Sequence, residues 1–87
     1  MAAAWSYKTD SGEVKASPGL LVGAVLSAGG AAEVTLKNGG ASGSAMLNLQ
    51  LAAAGSAICM PAMPVAFGTS LYLTVDAGTV EVTVFYI

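Results

Sequence analysis

Apolar and polar residues alternate with a period of two along most of the chain. In Glu33-Val34-Thr35-Leu36-Lys37 the polar residues share one face, and Val34 and Leu36 share the other. Leu71, Leu73 and Val75 alternate with Tyr72, Thr74 and Asp76. Leu47, Leu49 and Leu51 alternate with Met46, Asn48 and Gln50. Successive side chains of a strand point to opposite faces, so each segment feeds a core from one side only. The segment Thr79–Ile87 carries one stripe of Val80, Val82, Val84 and Tyr86. Its second stripe starts polar, with Thr79, Glu81 and Thr83, and turns apolar at Phe85 and Ile87. Leu20–Leu26 is apolar on both faces, which predicts a central strand covered on two sides or a strand at a subunit contact.

Turn signals separate these segments at intervals of about eight to twelve residues, as in sandwiches and barrels. They include Asp10-Ser11-Gly12, Ser17-Pro18-Gly19, Ala28-Gly29-Gly30, Ala54-Gly55-Ser56, Pro61 to Pro64, and Asp76-Ala77-Gly78. Asn38–Ser44, rich in Gly and Ser, reads as a flexible loop. The turn at Asp76–Gly78 predicts a hairpin between its two flanking strands. Residues 1–16 read as an N-terminal arm or an edge hairpin about Asp10–Gly12, the hairpin supported by Trp5 and Tyr7 alternating with Ser6 and Lys8. Helical periodicity is weak and confined to the region of Ser44–Ala54. The pattern predicts an all-β chain, a small single-domain antiparallel β-sandwich or jelly-roll-like barrel over residues 17–87.

Composition changes this picture by suggesting what supports so small a fold. A domain of 87 residues buries only about 60% of the surface of its unfolded chain, and such domains commonly add disulfides, metals or partner subunits. Cys59 is the single cysteine and His is absent, which removes an intrachain disulfide and the commonest zinc or copper ligand. Only 9% of residues are charged, against about 25% in an ordinary soluble domain. Spread over the roughly 4,700 Å² expected for this mass, that is about one charge per 600 Å². A monomer's largest apolar patch is itself about 300–600 Å². The chain is therefore expected to carry apolar surface that a partner covers, and to be oligomeric.

Charge also narrows the partners. Three lysines, no arginine and a net charge of −2 do not neutralise a phosphate backbone, so no nucleic-acid partner is expected. Despite a mean hydropathy of +0.72, Gly and Pro interrupt the apolar runs before about 18 residues, so no membrane insertion is expected either. The start, Met1 to Asp10, lacks a basic segment followed by an apolar one, which predicts synthesis without a secretory signal, in a cytoplasm.

The parts of a catalytic site are missing. A serine nucleophile lacks a His base, and Lys8, Lys15 and Lys37 stand in polar settings without a surrounding motif. Asp76 and Glu81 flank one turn but would project from a small sheet without a cleft for a paired-carboxylate reaction. Asp10 and Glu13 read as turn residues rather than calcium ligands. No phosphate-binding glycine motif occurs. No enzyme activity, metal or cofactor is expected. Cys59, with apolar neighbours, reads as a buried, inert thiol. Met60 and Met63 read as core packing, with a soft contact surface as the alternative. Candidate assembly contacts are Trp5, Tyr7, Leu21, Val25, Tyr72, Phe85 and Ile87.

The order of features from Ser17-Pro18-Gly19-Leu20-Leu21-Val22-Gly23, through Glu33-Val34-Thr35-Leu36 and a Gly/Ser-rich loop, to Gly68-Thr69-Ser70-Leu71-Tyr72-Leu73 and Thr79–Tyr86, resembles the small β-sandwich capsid decoration (cement) proteins of tailed bacteriophages. The likeness is one of layout over residues 17–87 and includes no functional motif. It implies a structural virion protein on the capsid exterior, made in the host cytoplasm. Such a subunit would bind the major capsid protein lattice as a homotrimer. The alternatives are a phage tail, collar or fibre accessory domain, and a receptor- or carbohydrate-binding sandwich using Trp5, Tyr7 or Tyr72 as a stacking platform.

Overall fold

The structure, a computed structural model, describes residues 4–87. Nine strands follow in order: β1 (Ala4–Lys8), β2 (Gly12–Lys15), β3 (Gly19–Ala28), β4 (Ala32–Asn38), β5 (Ser44–Leu51), β6 (Gly55–Cys59), β7 (Val65–Phe67), β8 (Leu71–Ala77) and β9 (Val80–Tyr86). There is no helix among the described residues. Every strand pairing is antiparallel.

The strands form two sheets. Sheet A has the order β1-β9-β3-β6, and sheet B the order β2-β8-β4-β5. Strand β7 shares the edge of β3 with β6: β6 pairs with Ala24–Ala28 and β7 with Gly19–Leu21. Together they occupy one strand position, interrupted between them where Pro61 and Pro64 lack the N–H that a ladder needs. Counted that way, each sheet has four strand positions, and the chain crosses between sheets at most of its turns. This is the jelly-roll arrangement.

That topology corrects two expected hairpins. Strands β8 and β9 lie in opposite sheets, β8 beside β2 and β4, β9 beside β1 and β3. The turn at Asp76–Gly78 carries the chain across the sandwich instead. Gly78 has φ +80°, and a Cβ there would meet the Ala31 carbonyl and come within 3.0 Å of Ala32 Cα, so the crossing runs hard against the β3–β4 turn. Strands β1 and β2 likewise separate, one to an edge of each sheet. The described part of residues 1–16 is thus neither a free arm nor a hairpin but two edge strands of the sandwich. Residues 1–3 lie outside the described residues. The turn that does make a hairpin is Gly39–Gly43, joining β4 to β5.

The physical reason is plain. Two strands facing each other across a core show the same alternation as two strands side by side, because each offers one apolar stripe to that core. The inner stripes meet as expected: Leu21, Ala24, Leu26, Val80, Val82 and Val84 from sheet A, and Val34, Leu36, Leu49, Leu71 and Leu73 from sheet B, with Phe67 from β7. Most of these are fully buried.

Candidate assembly surface

The inner stripes fix what the outer positions are, because a neighbour in sequence points the other way. On sheet A the outer positions line up across the strands in two rows that are apolar except for Thr83. One row runs Tyr7, Thr83, Val25, Ile58 across all four strands. The next runs Trp5, Phe85, Gly23. Gly23 leaves room there for Met60: a Cβ would collide with Met60 Sδ and lie 2.7 Å from the Cys59 carbonyl. Leu20 extends the face at its end, beside Ile87, with which it exchanges main-chain hydrogen bonds of 2.9 and 3.0 Å.

These side chains are in water. Trp5 is 66% exposed, Ile58 68%, Tyr7 51%, Met60 49% and Leu20 37%. With roughly 150–250 Å² on a side chain of such size, the five leave on the order of 500 Å² of apolar surface on one face. That is near the upper end for a contiguous patch on a monomer, about 300–600 Å².

Apart from Thr83 within the first row, polar side chains on this face lie at one end, where Ser27 pairs with Glu81 on one side and Ser56 on the other. The Tyr7 hydroxyl donates to Glu81 Oε1 at 2.6 Å. That hydrogen bond, followed by partial burial and the carboxylate charge, pushes the Tyr7 phenol above its ordinary value. Beyond this row a cleft of about 600 Å³ is lined by Thr9, Gly29, Gly30, Thr79 and Glu81, among others. Its one ionisable side chain, Glu81, has no second carboxylate beside it. Asp76, which flanks the same turn in sequence, belongs to the outer face of the other sheet. No group of three His, Cys, Asp or Glu side chains is placed to hold a metal ion among the described residues.

Sheet B presents a different outer face. Thr35 Oγ1 donates to Asp76 Oδ2 at 2.6 Å, and Asn48 Nδ2 donates to Thr35 Oγ1 and Glu33 Oε2, each at 3.0 Å. Gln50 Nε2 donates to Glu33 Oε2 and Asn48 Oδ1, each at 2.9 Å. The register explains the ladder, since Thr35 stands opposite Asn48 and Glu33 opposite Gln50.

Four of the expected contact residues, Trp5, Tyr7, Val25 and Phe85, therefore come together on one face. Leu21 does not: it is fully buried in the core and offers no contact surface. A run apolar on both sides does not say which half faces inward, and here Leu21 is on the inner stripe. Tyr72 is half-buried on sheet B, between Glu13 and Lys37. Ile87 is half-buried and tied to Leu20 through its main chain. Sequence reasoning missed Ile58 and misassigned the methionines. Met60 and Met63 were expected in the core but are 49% and 77% exposed. Ile58 points outward because its neighbours Ala57 and Cys59 both pack against the core, which the uniformly apolar run around it does not disclose. Cys59 itself is half-buried.

Compared with known proteins, the chain matches no family model, no curated protein and no solved structure.

Proposed function

We propose that this chain is a structural virion subunit, a decoration protein that seats on the major capsid protein lattice of a tailed phage and stabilises the head from outside. The observation that carries the reading is the apolar face of sheet A, spread over all four strand positions and backed by a well-packed core. A rigid subunit that joins others through such a face presents several weak contacts at once to a repeating shell, and multivalency then raises its hold on the shell. The resemblance in layout to decoration proteins supports the phage assignment. The jelly-roll arrangement by itself adds nothing specific, since capsid, lectin and cupin domains all use it. In this reading the chain does no catalysis and acts through the surfaces it covers.

The test is co-sedimentation with empty shells of the major capsid protein encoded in the same genome. Saturable binding that raises the melting temperature of the shell is expected. Absence of binding to shells, with binding to tail or fibre preparations instead, would move the chain to the accessory class.

The exposure of Trp5 favours one second reading, a carbohydrate-binding module in which the indole stacks on a sugar ring. Retention on a glycan array that is lost in Trp5→Ala would support it.

A further inference from the structure

We infer that the outer face of sheet A is covered by the same face of a second copy of this chain. The inference rests on the assembly-subunit reading above and names the occupant.

Charge is the first ground. Of the eight charged residues only Glu81 lies on this face, at its end, and it already accepts the Tyr7 hydroxyl of its own chain. A charged partner would find no countercharge across the two apolar rows. A second copy brings an equally uncharged surface, so neither side strands a charge away from water.

Area is the second ground. A standard interface buries about 800 Å² per partner, of which roughly 60% is apolar. The apolar surface left open here, on the order of 500 Å², matches that share.

Relief is the third ground. The most exposed side chains stand on the two edge positions, Trp5 and Tyr7 on β1, Ile58 and Met60 by β6. The middle of the face is lower, with half-buried Thr83, Val25 and Phe85, while Met60 lies over Gly23 at the end of the second row. Two ridges with a trough between them are self-complementary: the ridge of one copy seats in the trough of the next.

The experiment is size-exclusion chromatography with light scattering on the full chain and on a Trp5→Ser, Ile58→Ser double variant. Gln50→Ser on sheet B serves as the control, and circular dichroism checks the fold of each. The unaltered chain and Gln50→Ser are expected to elute as a dimer, and the double variant at about half that mass, one copy instead of two. Should the double variant not fold, Ile58→Thr keeps a β-branched residue in the edge strand. It is expected to weaken association roughly tenfold, as loss of one or two buried methylenes would. An unaltered chain that stays monomeric at its highest soluble concentration overturns the inference. So does an oligomer whose mass survives both substitutions with the fold intact. Shell binding is scored separately. A monomer that binds shells overturns the self-contact and leaves the decoration reading standing. An oligomer that dissociates in the double variant but ignores shells does the reverse.

Discussion

The two outer faces of the sandwich are built on the same plan and end in opposite chemistry. Each sheet offers four antiparallel strand positions, and each gives its inner stripe to one core. Sheet B then behaves as an antiparallel sheet in water ordinarily does, apolar inside and polar outside. Its outer positions hold Glu13, Glu33, Lys37 and Asp76, four of the eight charges in the chain, and Thr35, Asn48 and Gln50 hydrogen-bond two of them, Asp76 and Glu33. Sheet A places one charge outside, with Thr83, Ser27 and Ser56 as its uncharged polar positions, and otherwise presents Trp5, Tyr7, Val25, Phe85, Ile58 and Met60. The difference teaches that scarce charge is a property of one face rather than of the whole surface. A uniformly neutral surface would be consistent with a bland soluble monomer; a segregated one points to a covered side.

The largest effects are expected where the faces do not differ, in the shared core. Leu26→Ala in sheet A and Leu73→Ala in sheet B each remove a fully buried side chain. Each is expected to cost about 2–5 kcal/mol, out of roughly 4–13 for a chain of this length, in denaturant unfolding. A loss well under that for one of the pair would break the picture of a single core supporting both sheets.

Gly23→Val comes next, at about 1–3 kcal/mol, because the new side chain runs into Met60 and the Cys59 carbonyl. Hydrogen exchange should show protection lost first in β6. Equal loss across sheet B would mean that the damage is not local to the apolar face.

On the polar face, Thr35→Val removes the donor to Asp76 and the acceptor for Asn48 at a buried position. It is expected to cost about 1 kcal/mol and to leave the oligomeric mass unchanged. A changed mass would place the contact on sheet B.

The smallest effect is at Tyr7. Its phenol is expected to titrate above the usual value near 10, and Glu81→Gln to bring it back down, read by ultraviolet absorbance. The folded chain holds this proton more tightly than the unfolded one. The contribution to stability is therefore complete below about pH 10 and is lost as the pH rises through the folded value.

The strands and their inward faces were legible in the sequence, since the alternation in Glu33–Lys37, Leu71–Asp76 and Thr79–Tyr86 reports directly which side of each strand is buried. The pairing was not. Asp76-Ala77-Gly78 looks like a hairpin turn because local chemistry permits a reversal, whereas only the packing of Gly78 against Ala31 and Ala32 reveals a crossing. The site was legible in part for a similar reason. Trp5, Tyr7, Val25 and Phe85 stood out as apolar residues on otherwise polar or two-sided strands. Ile58 and Met60 sit in the wholly apolar run Ala57-Ile58-Cys59-Met60-Pro61, where sequence gives no contrast between core and surface. Only the register with Val25 and the space above Gly23 bring them onto the face.

The central claim is that the outer face of sheet A does not remain in water. Trp5 is the single tryptophan and stands in that face at 66% exposure, so its fluorescence reports the face directly. The decisive measurement is acrylamide quenching of the unaltered chain over a concentration series. Quenching that falls, with a shift of emission to the blue, as the concentration rises is the expected result. An indole that stays as accessible at the highest concentration as in the dilute chain would contradict the account.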